Sequence, residues 1–464
     1  MIFSEGQVEL TNWSKSARST CLVYQVSDVA GIARALAVAR ERRLTVIPHG
    51  AGHSYTDAAL NTGGIVIDVT PMHRILAWDA GSGVMRVEPG VTLREMVHMA
   101  WKDGWWPAFS PSTPEVTIGG CAAMNVNGRN AWKCGPMGEH ILAMDVLFAN
   151  GEARSLEPKR DAQLFYAFIG SLGLLGIITS ITVQLQRITS GFVILRRRPA
   201  ASLDEIFGLF SQEEPRSDFM EAWLDGFARG PQLGRGHITC ATLNPGGAAA
   251  LTPLPTSGVT GRLEIALIDL AARLGRPWLL PGMQMLNRAM FWWDRPAKGQ
   301  LRPLVPYTWW PPVAFAWYHA MFPQGVETFQ AFVPAPQSQS IFEQALRYSQ
   351  EQGCLPVWCV IKQHRRDPFL LSYQVDGFSL ELNYQRTAQN AQKLKDVLQH
   401  MLASVIAAGG RFYLAKDHFL THAQYRQSVG DEAVDAFLQL KQRCDPENLL
   451  QSDLYRRVFQ PAPG

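Results

Sequence analysis

The sequence lacks a strong charge of either sign, an even set of cysteines and an apolar N-terminal segment. Lysine and arginine total 43 against 40 aspartates and glutamates, a net charge of +3, so the charge does not favour a nucleic-acid partner. Seven cysteines, scattered from Cys21 to Cys444, indicate reduced thiols and a cytoplasmic protein. Residues 1–16 contain no apolar segment of the signal-peptide type, so secretion by that route is not expected.

Charge is also absent from one long run, residues 162–186, which has the length of a membrane-spanning helix. Gly170, Gly173 and Gly176 interrupt this run, and the residues from Ile178 onward are rich in β-branched side chains. The pattern predicts the end of a helix, a glycine turn and a buried strand, with a membrane helix as the alternative.

The chain is long enough for two domains, with 464 residues of which 47% are hydrophobic and 18% charged. In the first 190 residues, short helices alternate with short strands. Ser27 is expected to cap a helix that runs to about Arg42, and Thr92 to cap a second helix. Asn150-Gly151 lies between two apolar runs and predicts a hairpin. The pattern is typical of an α+β domain.

The middle of the chain, residues 191–408, has a different pattern. Strands are predicted at 326–333, 357–363 and 378–384, and helices at 340–352 and 387–408. This order indicates a substrate domain with an antiparallel sheet backed by helices, whose open face is free to cover a ligand. From Gly409 to the end, a short strand at 412–415 and a helix from about 432 to 443 are expected.

Residues 276–324 contain six of the fourteen tryptophans, interrupted by prolines. Three interpretations are open for this segment. It could be a lid over an apolar substrate, a surface that contacts a membrane, or an irregular, proline-broken part of the core.

Three glycine-rich turns follow predicted strands in the first domain, at residues 48–55, 111–120 and 170–176. Glycine lets backbone N–H groups approach phosphate oxygens, and successive N–H groups form an anion-binding nest. Each turn alone is equally well explained as a tight surface turn. The three together favour an extended ligand with several polar parts.

The residues at these turns resemble those of a known family of flavoproteins. Residues 48–55 (Pro-His-Gly-Ala-Gly-His-Ser-Tyr), 65–68, 87–91, 116–120 and 173–179 are similar to the FAD-binding domain of the vanillyl-alcohol oxidase and p-cresol methylhydroxylase (PCMH) superfamily. Residues 409–417, Asp445-Pro446 and Ser452-Asp453 resemble the C-termini of the decaprenylphosphoryl-ribose oxidases and the sugar-lactone and alditol oxidases. The resemblance implies a two-part FAD-binding domain of the PCMH type, residues 1–190 and 409–464, around the substrate domain.

The resemblance also implies which residues hold FAD. The expected cofactor residues are Gly50, Ala51, Gly52, Ser54, Tyr55, Thr113, Val116, Thr117, Gly119, Gly120 and Asn127, with Gly176 and Ile178 at the adenine end. In the lactone and alditol oxidases, the histidine of the first turn is bonded to the flavin 8α-carbon, which here implies a covalent link through His53. The alternative is a histidine that only hydrogen-bonds in its loop. No metal ligand is expected.

Catalytic and substrate residues are predicted on the C-terminal half. By resemblance, Lys416 stabilises the negative charge that develops on the reduced flavin, and Tyr413 leans toward it; an exposed lysine is the alternative. Period-two alternation places Ser379, Glu381 and Asn383 on one face of a strand, where Glu381 could accept a hydroxyl proton. Gln330 and Lys362 lie on the neighbouring predicted strands and are expected to contact the substrate. The alternative is a plain solvent-facing sheet.

These residues predict an FAD-dependent oxidoreductase that oxidises an alcohol group of a sugar, an alditol or a lipid-linked sugar by hydride transfer to flavin N5. Oxygen or a quinone-like acceptor would reoxidise the flavin. The alternatives are an aldonolactone or alditol oxidase that releases hydrogen peroxide, and a non-catalytic flavin- or lipid-binding protein. Peripheral membrane contact through residues 276–324 is a further expectation.

Overall fold

A computed structural model of the chain describes residues 2–3, 6–246, 262–275, 279–293 and 296–461. Two five-stranded sheets occupy the N-terminal part. The first consists of β1 (Ile2–Phe3), β2 (Val8–Thr11), β3 (Arg18–Gln25), β4 (Val46–His49) and β5 (Ile65–Asp68). The second consists of β6 (Ile75–Asp79), β7 (Val84–Val87), β9 (Ile141–Leu147), β10 (Ala153–Leu156) and β11 (Ile177–Gln184), and a small pair is formed by β8 (Trp105–Trp106) with β12 (Gln186–Arg187). In the first sheet β3, β5 and β4 run parallel.

Five helices accompany these sheets. They are α1 (Val29–Arg42), α2 (Leu93–Ala100), α3 (Ile118–Met124), α4 (Ala131–Cys134) and α5 (Ala162–Phe168). The capping of α2 by Thr92 is confirmed, because the Thr92 side chain and Glu95 form a reciprocal capping box. The predicted cap of α1 is wrong by one residue. Asp28, not Ser27, has extended backbone angles, and its carboxylate accepts a hydrogen bond from the Gly31 N–H at 2.6 Å.

The uncharged run at 162–186 folds as predicted. Helix α5 ends at Phe168, the chain turns through Gly170, Leu172 and Gly173 with positive φ angles, and β11 follows. Within the described part of the chain, none of the helices has both the length and the apolar character needed to cross a bilayer. The predicted hairpin at Asn150-Gly151 is also present, joining the antiparallel strands β9 and β10.

An eight-stranded antiparallel sheet dominates the rest of the structure. Its strands are β13 (Phe192–Ala200), β14 (Phe219–Leu224), β15 (Gly236–Leu243), β16 (Ala297–Pro303), β17 (Val326–Pro334), β18 (Trp358–His364), β19 (Gly377–Gln385) and β20 (Arg411–Phe412), in the order β16-β13-β15-β14-β18-β19-β17-β20. The helices α6 (Leu203–Glu213), α11 (Ala335–Glu351) and α12 (Ala391–Ala407) pack on it. The α+β class is thus confirmed, whereas the division at residues 190 and 408 stays a prediction.

The tryptophan-rich segment is mainly helical rather than irregular. It includes α8 (Leu279–Trp293), β16, α9 (Leu304–Thr308) and α10 (Pro312–Met321), and it follows α7 (Arg262–Gly275). Trp309 is buried, but Trp292, Trp310 and Trp317 are 70%, 39% and 40% exposed. The interpretation as a proline-broken core therefore fails for these three residues. Trp278 and the side chain of Trp293 lie outside the described residues.

The C-terminal segment returns to the first sheet. It contains α13 (His422–Val429), α14 (Asp431–Cys444) and α15 (Asp453–Val458). The Val46 N–H donates to the Leu449 carbonyl at 2.8 Å, and Arg457 pairs with Asp57 at 2.7 Å. The strand predicted at 412–415 is wrong beyond Phe412. The Tyr413 carbonyl accepts hydrogen bonds from the Lys416 and Asp417 N–H groups, which closes a turn instead.

Candidate active site

One pocket lies between the three glycine turns and the open face of the eight-stranded sheet. The predicted residues that line it are Gly50, Ala51, Gly52, His53, Ser54, Tyr55, Thr113, Val116, Thr117, Gly119, Gly120, Asn127, Gly176, Ile178, Gln330, Lys362, Tyr413 and Lys416. The structure therefore brings together residues that are more than 350 positions apart in the sequence. The remaining three predicted residues, Ser379, Glu381 and Asn383, do not line the pocket directly.

The first glycine turn follows β4 because parallel pairing with β5 ends at His49. Gly52 has a φ of +69°, a left-handed conformation that glycine adopts without strain. A side chain on Gly50 would collide with Thr117 Oγ1, and one on Gly119 would lie 2.6 Å from Pro89 Cβ. These close approaches pack the first glycine turn against the start of α3. The backbone of the turn and the backbone of the helix start therefore both line the pocket.

The pocket's own atoms fit the long, polar ligand that the resemblance implies. Gln330 is 2% exposed and Ser110 is 3% exposed, and both line the pocket. Among the described residues, neither Gln330 Oε1 nor Ser110 Oγ has a hydrogen-bond partner. A buried polar atom without a partner is costly unless a ligand or water satisfies it. Together with the closely packed glycine turns, these atoms are suited to the polar groups of FAD.

His53 is half-buried on the pocket wall, where the ring of Trp13 stacks at a centroid distance of 6.5 Å. Burial lowers the pKa of the His53 imidazole below its ordinary value, against the opposing effect of Glu115. The imidazole is therefore neutral at pH 7, the form in which a ring nitrogen can act as a nucleophile. Trp13 was not predicted, because no local pattern distinguishes it from a tryptophan of the core.

Helix α10 closes one side of this pocket. Phe315 lines the pocket, and the rings of Tyr318 and His319 lie 4.9 Å and 4.8 Å from that of Trp13. Burial, together with smaller effects of Lys15 and His53, lowers the pKa of His319 to about 4. The wall beside His53 is thus aromatic and uncharged at neutral pH. Through Phe315, the segment 276–324, for which a lid was one of three interpretations, borders the pocket.

Lys416 and Glu381 form an ion pair at the edge of the pocket. Lys416 Nζ donates to Glu381 Oε1 at 2.6 Å and lies 4.9 Å from the centre of the Tyr55 ring. Burial raises the pKa of the Glu381 carboxyl, but Lys416 and Lys362 outweigh burial and hold that pKa below its ordinary value. Glu381 is therefore a carboxylate at neutral pH. The interpretation of Lys416 as an exposed lysine is wrong.

The ion pair continues along the sheet as a row of alternating charges. Lys362 Nζ lies 3.5 Å from Glu221 Oε2, and Glu221 Oε1 lies 3.4 Å from a guanidinium nitrogen of Arg129. We call these five residues the charged row; in order along the sheet they are Arg129, Glu221, Lys362, Glu381 and Lys416. Burial raises the pKa of Glu221, but Arg129 and Lys362 outweigh burial and keep it low. Glu221 and Arg129 were not predicted, although Glu221 is the one charged residue in the apolar strand β14.

The other two residues of the predicted polar face bond within the protein. Ser379 Oγ lies 2.8 Å from His364 Nε2, and the Thr328 hydroxyl donates to Asn383 Oδ1 at 2.8 Å. Both residues are at most 3% exposed. The alternative of a solvent-facing sheet is therefore wrong, because this face is covered. In the structure Asn383 also donates to Glu381 at 3.2 Å and so helps to hold that carboxylate.

Tyr413 and Asn127 are joined by a residue that was not predicted, Tyr373. The rings of Tyr413 and Tyr373 lie 4.2 Å apart, and Tyr373 accepts a hydrogen bond from Asn127 Nδ2 at 2.9 Å. The Tyr373 hydroxyl in turn donates to the Asn125 carbonyl at 2.5 Å. Tyr373 therefore fixes two pocket residues from outside the pocket lining.

The sequence is similar to those of known FAD-binding proteins and oxidoreductases. A family model described as an FAD binding domain matches residues 21–157. The chain is 28% identical to decaprenylphosphoryl-beta-D-ribose oxidase of Mycolicibacterium smegmatis over 97% of both chains. It is also similar to D-lactate dehydrogenase of Anaerostipes hadrus, at 30% identity over 36% of this chain and 37% of that one, and to L-gulonolactone oxidase of Mus musculus, at 28% over 40% and 42%. The family match includes the first two glycine turns.

Proposed function

We propose that this chain, an FAD-dependent oxidoreductase of the PCMH type that acts on CH–OH groups, oxidises a hydroxyl group of a lipid-linked sugar. The observation that carries the proposal is the arrangement of the pocket, with glycine turns on one side and the charged row ending in Lys416 on the other. The similarity over 97% of both chains to an oxidase of a decaprenylphosphoryl sugar supports the same substrate class.

FAD would supply the hydride acceptor, at N5 of its ring system. The Lys416 ammonium provides a fixed positive charge at the pocket wall, which stabilises negative charge that develops near it. Glu381 does not line the pocket itself, but it is ionised and lies 2.6 Å from Lys416, which does, so the hydroxyl proton of the alcohol would reach Glu381 beside Lys416. Gln330 and Lys362 offer an acceptor and a donor to sugar hydroxyls.

Two further parts of the proposal concern His53 and the membrane. His53, neutral and half-buried, would tether the flavin covalently through a ring nitrogen. Contact of residues 276–324 with a membrane would suit a substrate that carries a lipid. The electron acceptor would be oxygen or a quinone-like compound.

A soluble aldonolactone or alditol oxidase that releases hydrogen peroxide is the second candidate. Two observations favour it: the neutral His53 on the pocket wall, and the similarity to L-gulonolactone oxidase over 40% of this chain. The charged wall formed by Lys362 and Lys416, with Glu381 paired to Lys416, suits a free polyol as well as a sugar head group.

Anaerobic mixing of the flavin-loaded protein with candidate alcohols tests the proposal. A polyprenyl-phosphoryl pentose is expected to bleach the flavin absorbance, while the same free pentose and free alditols do so much more slowly. Faster bleaching by alditols or aldonolactones, with peroxide formed on admitting oxygen, would favour the second candidate. If no alcohol of either class reduces the flavin, the enzymatic proposal is wrong and a non-catalytic flavin-binding protein is the remaining alternative.

A further inference from the structure

Exposed apolar side chains are concentrated in one part of the structure. Among the described residues, eleven of the sixteen exposed large apolar side chains lie between positions 265 and 317. The other five are scattered singly, as is normal for a protein surface. The concentrated set includes an apolar helical layer, which we define by its most exposed members on three helices: Leu267, Leu270 and Leu274 of α7, Met285 and Trp292 of α8, and Trp317 of α10.

The helices of this layer are anchored by their opposite sides. On α7, Ile268 and Ala272 are 5% and 0% exposed, whereas Leu274 is 72% exposed. On α8, Asn287 is 2% exposed, and the Arg235 guanidinium lies 5.0 Å from the centre of the Phe291 ring. Since each helix already has a packed side, its exposed leucines, methionine and tryptophans form a second apolar side that no described residue of the chain covers.

Charge in this region has one predominant sign. From position 262 to 321, which includes all three helices of the layer, the sequence has three acidic residues against seven basic ones. Neither α8 nor α10 contains an acidic residue. Apolar helices with exposed tryptophans and basic neighbours are typical of surfaces that enter the interface of a bilayer with anionic lipids.

One helix of the layer, α10, also borders the active-site pocket. Phe315 of α10 lines the pocket, and Tyr318 packs on Trp13 beside it. Trp317 of the same helix is 40% exposed. A lipid-linked molecule bound at the outer side of α10 would therefore need to pass only the thickness of one helix to reach Lys416 and Glu381.

We propose that the apolar helical layer docks on a bilayer that contains anionic phospholipid, with α10 between the membrane and the pocket. The docking itself follows from exposure and charge alone. Delivery of a lipid-linked alcohol past α10 rests in addition on the proposed function. The occupant of the surface is a phospholipid membrane; a second copy of this chain is the competing occupant.

Sedimentation with vesicles tests the docking. The flavin-loaded wild-type protein is expected to sediment with vesicles of phosphatidylglycerol and phosphatidylcholine, and less at high salt or with phosphatidylcholine alone. The triple variant Leu274→Gln, Met285→Gln, Trp292→Gln should bind at least about tenfold more weakly, because it removes the apolar surface that enters the lipid. Flavin content and thermal unfolding should be unchanged, since all three side chains are at least 70% exposed.

A matched control is available on the rest of the surface. The triple variant Leu76→Gln, Met99→Gln, Leu142→Gln changes three apolar side chains that are 42%, 38% and 42% exposed and lie outside the layer, and it should bind vesicles like the wild type. Equal losses in both triple variants, or no vesicle binding by the wild type, would overturn the docking. So would a wild-type dimer in analytical ultracentrifugation that the first triple variant abolishes, without vesicle binding. Vesicle binding without oxidation of any lipid-linked sugar would refute the proposed substrate and leave the docking supported.

Discussion

At the scale of single residues, the account depends on Lys416 and Glu381. Their ion pair of 2.6 Å is buried at the pocket edge, where the two groups control each other's charge. Burial lowers the pKa of the Lys416 ammonium, and the neighbouring Glu381 carboxylate opposes that effect. The lysine is thereby available as a fixed cation, and the glutamate as a base that is ionised over the neutral range.

Replacing Lys416 by methionine should lower the anaerobic rate of flavin reduction by about 100-fold, because a preorganised charge near the reacting centre is lost. The pH dependence should change as well. A base must be ionised to accept a proton, so activity is lost as the pH falls through the pKa of Glu381. That pKa lies below the ordinary value in the wild type. Without the Lys416 charge, the effect of burial, which raises the pKa of Glu381, is less well opposed. That pKa should therefore rise, and the acid limb of the pH–rate profile should move to higher pH.

The exposed lysine of α12, changed in Lys393→Met, is the matched control and should leave both the rate and the pH profile unchanged. Stopped-flow flavin bleaching between pH 4 and pH 8 measures both quantities. A Lys416→Met enzyme with the wild-type rate and acid limb would show that neither residue acts as described.

Local patterns predicted many of these residues, but not those that reach the site through long-range pairing. The glycine turns were identified because three of them follow predicted strands in one domain, and glycine lets backbone N–H groups approach a ligand. The polar face of β19 was identified because alternation is a local property. Trp13, Glu221 and Tyr373 were missed, because each reaches the pocket only through partners distant in the sequence.

At the scale of elements, strand pairing assembles the charged row. Strands β14, β18 and β19 are neighbours in the sheet, and Ala222 is in register with Ile361. Glu221 therefore lies opposite Lys362, whose other neighbour in the row is Glu381. The register of β14 cannot be derived from its own sequence, since the pairing partner begins more than 130 residues later.

The helical nature of 279–321 was missed for a different reason, because the prolines there lie at or near helix starts, where they are tolerated.

Changing Glu221 to glutamine should destabilise the protein by about 2–4 kcal/mol, because Arg129 and Lys362 lose a partly buried carboxylate partner. The Arg129 and Lys362 side chains are only 10% and 13% exposed. Glu152→Gln, in the exposed ion pair of Glu152 with Arg154, should lower the free energy of unfolding by no more than about 0.5 kcal/mol. Urea unfolding of both variants measures the difference. Equal stabilities would mean that the row contributes nothing to the fold, and Glu221→Asp should recover part of the loss.

At the scale of the whole molecule, the two ends of the chain meet at the pocket. The C-terminal helix α15 is fixed to the first glycine turn region by the pair of Arg457 with Asp57. The Thr56 hydroxyl donates to the Leu414 carbonyl at 2.8 Å, which connects that region to the turn bearing Lys416. The first glycine turn and Lys416 therefore keep a fixed relative position. A resemblance in motifs near both ends predicted this return, whereas composition and periodicity could not.

The most direct test of the central claim, that the turn at 50–55 holds FAD, is acid precipitation of the purified protein followed by a scan for flavin fluorescence in a denaturing gel. The account predicts a yellow pellet and a fluorescent band in the wild type, and loss of that band in His53→Ala. Fully purified protein with no flavin in either the pellet or the supernatant would contradict the account.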